Sequence, residues 1–101
     1  MSVSAYAALA EPHRRVILDL LRTGERTVTD LVAQLGLSQP GVSKHLKVLR
    51  DSGLVTARID GRQRVYALRP ESLVEVAQWL EPYRMLWSSH LDALERHLEE
   101  T

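Results

Sequence analysis

Residues 38–47, SQPGVSKHLK, set small, polar and cationic side chains around an apolar spacing. Val42, Leu46 and Leu49 recur at i, i+4 and i+7, which predicts a helix burying that stripe. Ser43 and Lys44 then face outward, and Lys47 lies one turn further along the Lys44 face. The Gln39 amide can bond base edges, while Pro40 and Gly41 keep the first turn slim. Ser38, before that turn, leaves free backbone amides and a positive dipole end that suit a phosphate. A second cationic group, Arg58, Arg62 and Arg64, surrounds Asp60-Gly61, a strong hairpin-turn signal. Together these are the groups that read base edges in a major groove and neutralise flanking phosphates. The plainer readings are a solvated helix face and an edge hairpin guarded by charge. Arg62, at the turn, is the best hairpin contact; Arg64 has the alternative of lying along Tyr66 and packing.

Other reactive chemistry is sparse. The sequence has no cysteine, so disulfides, thiolate metal sites and thiol redox sensing are excluded. It also lacks a Gly-rich phosphate loop, a GxSxG elbow, an HExxH pair and carboxylates paired for acid–base work, and it reads as a non-enzyme. His13, His90 and His97 are the candidate metal ligands. His90 and His97 stand two helical turns apart near Asp92, Glu95 and Glu99, but a tetrahedral set of four does not assemble. They read as solvated or interface-flanking histidines, and no metal or cofactor is expected.

The elements that must position these groups follow from caps and period. Ala5 to Ala10 suggests a short helix, and Pro12 suits the first turn of the next, which runs to about Arg22 before Gly24. Thr27 with Asp30 three residues on signals an N-cap, followed by Leu31, Val32 and Leu35 and a stop at Gly36. Ser38 caps the following helix and Gly53 ends it, so helix, tight turn and helix succeed one another. Past Gly53 the period becomes two: Val55, Ala57 and Ile59 form one strand and residues 63–68 return as the second. Beyond Pro70 the chain reads as helical again, with a break or kink expected at Pro82. Trp87, Leu91, Leu94 and Leu98 then step by four, three and four, a short coiled-coil-like seam.

With 101 residues, 45% apolar and 26% charged, the chain fits one domain with a modest core. It has no run of apolar residues long enough for a membrane span and no secretory leader pattern, so a cytoplasmic location and no membrane partner are expected. The net charge of zero hides an asymmetry: residues 1–69 carry a charge of +5 and residues 70–101 a charge of −5. A basic working surface with an acidic segment facing away from it is the implied arrangement.

The stretch LSQPGVSKHLKVLRDSGLV, followed by DGRQRVYAL, resembles the ArsR/SmtB family of bacterial winged helix-turn-helix repressors. The C-terminal PYRMLWSSHLDALERHL resembles the branch of that family without a metal site. The family's metalloid pocket uses Cys in or near the recognition helix, where residues such as Val42, Ser43 and Lys44 stand here. The resemblance also implies a DNA-side role for His45; read alone, His45 equally suits packing at the helix edge. The expected fold is α+β, mostly α: a helix-turn-helix over about 27–52, a two-stranded wing over about 54–68 and C-terminal helices over about 71–99.

The first and last helices, through Tyr6, Leu9, Trp87, Leu91, Leu94 and Leu98, are expected to join two copies. The expected function is a homodimeric repressor of an inverted-repeat operator in double-stranded DNA, released by an inducer of unspecified chemistry. Two alternatives compete: a metal-responsive repressor using the C-terminal His and acidic residues, and a winged-helix module that binds proteins. The cluster Lys44, Lys47, Arg58 and Arg62 argues against the latter.

Overall fold

Each helix starts where a side chain meets its free amides. Helix α1 (Ala5–Leu9) begins at Ser4, whose hydroxyl accepts from the Ala7 amide. Helix α2 (Pro12–Arg22) begins at Glu11, whose carboxylate accepts from the Arg14 amide, with Pro12 where no amide hydrogen is needed. The computed structural model describes residues 4–99. Arg14 Nε donates to the Ala8 carbonyl and Arg15 Nη1 to the Leu9 carbonyl, both at 2.7 Å, so cations satisfy the open end of α1.

Strand β1 (Arg26–Thr27) leads directly into helix α3 (Val28–Leu35). The Thr27 hydroxyl accepts from the Asp30 amide at 3.1 Å and the Asp30 carboxylate from the Thr27 amide at 3.2 Å, a reciprocal capping box. Gly36 then leaves the helix at φ +68°, a conformation that costs glycine little. Ser38 accepts from the Gly41 amide and opens helix α4 (Gln39–Asp51). In α4 the side chains of Val42, Leu46 and Leu49 are fully buried, in one core with Ile17, Leu31 and Leu54. Each such side chain contributes roughly 1.5–3 kcal/mol on burial, which anchors α4 and leaves its other face to function.

Strands β2 (Val55–Asp60) and β3 (Gln63–Leu68) pair antiparallel, from Val55 opposite Leu68 to Asp60 opposite Gln63. The turn differs from the expected Asp60-Gly61: Asp60 stays in the ladder and the loop is Gly61-Arg62. Gly61 has φ +64° and no described non-glycine residue has a positive φ, so only the first loop position is left-handed, where glycine is favoured. The sheet is also larger than the expected two strands. Its order is β1-β3-β2, with Arg26 opposite Tyr66 and Thr27 opposite Val65. Two residues are too few to show a period of two, and Thr27 also serves as a helix cap.

A turn of 3-10 helix (Pro70–Ser72) precedes helix α5 (Leu73–Glu99). The break expected at Pro82 does not occur; the helix continues through it. Proline in a helix interior removes one amide donor and costs ~3 kcal/mol. Good helix formers surround it, and Arg84 reaches back to Glu81 with two bonds of 3.0 and 3.1 Å. At 27 residues, α5 is roughly 40 Å long.

Leu73 and Val76 pack on the core, and the Tyr6 hydroxyl donates to the Glu75 carbonyl at 3.2 Å. The Tyr6 ring stands edge-on to Trp79, 6.2 Å between centroids. From Glu81 to Glu99 every residue is exposed, Tyr83, Leu86, Trp87, Leu91, Leu94 and Leu98 among them. Leu9, expected at the interface between copies, packs partly against this chain's own core, on the face of α1 that buries Ala5 and Ala8. No helix among the described residues is long and apolar enough to cross a membrane.

Candidate nucleic-acid interface

Helix α4 and the β2–β3 wing meet in one polar, cationic surface. Gln39, Ser43, Arg62 and Arg64 line a concave strip, joined there by Thr29 of α3 and Gln63 of β3. Arg64 also borders a second strip with Lys47, Arg50 and Tyr66, so the helix face and the wing are continuous. Spacing explains the continuity. Arg64 and Tyr66 are two residues apart on one strand and project from the same face of the sheet. Arg64 therefore stands on the Tyr66 side of the sheet, exposed, beside α4. Arg62 stands in the hairpin loop, exposed.

The cations of this surface are in different states. Among the described residues Lys44, Arg50, Arg62 and Arg64 have no ion-pair partner. Lys47 Nζ lies 2.9 Å from Asp51 on an exposed helix face. Such i,i+4 pairs contribute about 0.3–0.5 kcal/mol, little enough to be exchanged for a phosphate. Arg58 faces away from Arg64, lying opposite Val65 in the ladder, and reaches Glu25 at 2.7 Å and Asp60 at 3.7 Å. The hydrogen bond and charge of Glu25 hold its guanidinium above the ordinary value.

Ser38, Pro40 and Gly41 lie where expected, at the start of α4, with the Ser38 hydroxyl occupied by the Gly41 amide. His45 does not stand on the outward face. Its side chain is only 20% exposed; Nδ1 lies 3.8 Å from the Glu11 carboxylate and the ring stacks on that of His13, 5.6 Å between centroids. One helical step before Leu46 brings a side chain to the rim of the buried stripe, so His45 turns to α2. Partial burial pushes the Glu11 carboxyl up. Its bonds from His13 and the Arg14 amide, with the charge of both imidazoles, outweigh this and leave its pKa below the ordinary value.

Thr29, Arg50 and Gln63 were not singled out in the sequence. Thr29 reads there only as part of a helix start, and Gln63 only as a strand residue. Arg50, three residues after Lys47, carried a usable signal: it continues the edge of the same cationic face.

Residues 11–57, from the cap of α2 into β2, match the profile of the bacterial regulatory protein family arsR. The chain is 42% identical over 78 residues to the "Probable mercury resistance operon repressor" of Streptomyces lividans, a match spanning 74% of this chain and 62% of that protein. It is 41% identical over 97 residues to the HTH-type transcriptional regulator NmtR of Mycobacterium tuberculosis, spanning 93% of this chain and 77% of the relative. The crystal structure of an ArsR family transcriptional regulator, RHA00566, aligns with a TM-score of 0.71 at 33% identity, over 88% of this chain and 98% of that one. The family match takes in the helix-turn-helix together with helix α2 and its cap at Glu11.

Proposed function

We propose that this chain, which belongs to the ArsR family of bacterial regulatory proteins and is a DNA-binding transcriptional repressor, acts as a homodimer on an inverted-repeat operator. The observation that carries the reading is the continuous polar and cationic strip of α4 and the wing, anchored from behind by the fully buried Val42, Leu46 and Leu49. In this reading Gln39 and Ser43 address base edges, and Lys44, Lys47, Arg62 and Arg64 address phosphates. Ser38, Pro40 and Gly41, at the start of α4, lie against the DNA backbone. Arg58 contributes only when it leaves Glu25.

The second copy covers the outer part of α5. Tyr83, Leu86, Trp87, Leu91 and Leu94 expose apolar surface at helical spacing, with Leu98 continuing the row. A contiguous apolar row of this kind marks an interaction site, and an α5 of two-fold symmetry satisfies it with itself. Two copies joined this way present two α4 helices to successive major grooves, ~34 Å apart. Repression follows from covering the promoter, in the cytoplasm, and ends when an inducer favours another dimer geometry. The inducer is not one held by soft thiolate ligands of this chain, which has no cysteine.

Selection of binding sites from a random DNA pool, followed by footprinting and sedimentation of the complex, tests the reading. The expected result is a two-fold related pair of half-sites bound by two chains. A single asymmetric site bound by one chain overturns it.

A further inference from the structure

Glu11, His13 and His45 come together although 32 positions separate His13 from His45 in the chain. One donor atom from each lies within 4.8 Å of the other two. Glu11 Oε1 is 2.9 Å from His13 Nδ1, and Glu11 Oε2 is 3.8 Å from His45 Nδ1. Zinc with nitrogen and oxygen ligands at 2.0–2.2 Å in a tetrahedron sets neighbouring donors about 3.3–3.5 Å apart. The two Glu11–His separations lie either side of that spacing, and the two imidazoles offer donors no more than 4.8 Å apart. No other group of His and carboxylate donors converges among the described residues; His90 and His97 are not part of one.

We propose that Glu11, His13 and His45 form a binding site for a divalent transition-metal cation of zinc type, linking the start of α2 to the recognition helix α4. Two imidazoles and one carboxylate are the donor set of a three-ligand zinc centre, with water in the fourth position. Glu11 Oε2 also accepts from the Arg14 amide at 3.1 Å, a second contact that orients the carboxylate as outer partners do in metal sites. The nearest cations do not oppose the ion: Arg14 and Arg15 direct their guanidinium groups to the carbonyls of α1. His13 is 49% exposed, which leaves an open path for entry. Binding replaces the 2.9 Å hydrogen bond between His13 Nδ1 and Glu11 Oε1, because a ligating nitrogen offers its lone pair to the ion.

A bound ion would tie His45, and with it α4, to the first turn of α2. The site therefore lies within one subunit and behind the DNA surface. It uses neither the C-terminal helix nor cysteine.

Cobalt(II) tests this without DNA, so the result is independent of the operator reading. The untagged full chain, stripped with chelator and dialysed, is titrated with cobalt(II) while its visible absorption is followed, and zinc is then added as competitor. Saturation at one cobalt per chain, with the intense absorption of a low-coordinate ion and displacement by zinc, is expected. His13→Gln, whose side chain is half-exposed and not needed for the core, should weaken binding at least tenfold while leaving the far-UV dichroism unchanged. Glu11→Gln should weaken binding as well, and the double variant His90→Gln with His97→Gln should bind like wild type. Absence of saturable binding, equal binding by His13→Gln, or loss of binding in the His90/His97 variant each overturns the proposal.

Discussion

Arg58 on the wing and Glu25 in the segment before β1 form an ion pair of 2.7 Å across 33 positions of sequence. A cation that the sequence offers as a DNA contact is thereby compensated within its own chain. Glu25→Gln should release it. The expected outcome is tighter DNA binding, with a salt dependence steeper by up to about one counterion. Titrations at several salt concentrations check this, and an unchanged slope would mean that Arg58 has no phosphate within reach.

The recognition helix carries the second prediction. Lys44→Ala, at an unpaired cation, should weaken binding to all sequences alike and lower the salt slope by about one. Lys47→Ala should do less, since part of its charge is already answered by Asp51. Gln39→Ala should instead relax preference at one base position, worth about 1–3 kcal/mol of discrimination. If the triple alanine variant bound selected sites like wild type, α4 would not be the reading element.

The exposed row on α5 is tested by charge. Leu91→Glu with Leu94→Glu should leave a folded chain, because both side chains are more than half exposed in the single copy, at 64% and 55%. It should nevertheless sediment as a monomer and bind DNA with near-nonspecific affinity, one winged helix burying little interface. A dimer persisting at micromolar concentration with normal binding would put the interface elsewhere.

Stability separates packing from capping. Leu46→Ala removes a fully buried side chain from the rear of α4 and should cost ~2–5 kcal/mol. Thr27→Ala removes one half of the capping box and should cost ~1 kcal/mol. Urea unfolding of the two variants checks the order. Equal losses would show that α3 depends on its cap far more than its packing suggests.

The pH dependence follows from Glu11. Its pKa in the fold lies below the ordinary carboxylate value of 4.5, since bonds to the ionised form outweigh partial burial. A lowered carboxylate pKa stabilises the fold above the unfolded value, and that contribution disappears as pH falls through the folded value. Wild type should thus be more stable than Glu11→Gln at neutral pH, with the difference closing in acid. Thermal unfolding at a series of pH values measures it; a difference that stays constant into strong acid would mean that the charge of Glu11 plays no part.

Sequence alone determined what depends on neighbours along the chain. Thr27 with Asp30, Gly36 and Ser38 are cap and exit signals acting over a few residues, so α3, the turn and α4 were legible to within a residue. The outward places of Lys44 and Lys47 followed from the period of Val42, Leu46 and Leu49. The hairpin was legible for the same reason, although its loop lies one residue later, because Asp60 can either turn or pair.

Tertiary structure decided what depends on residues far apart. Strand β1 exists only because β3 passes beside Arg26 and Thr27. Helix α5 runs through Pro82 because the loss of one backbone bond is small against the helix on either side. Arg58 turns to Glu25, and His45 to Glu11 and His13, through meetings that no local spacing encodes. Leu9 packs partly on its own core, a contact that only the seating of α1 on the helices behind it could assign.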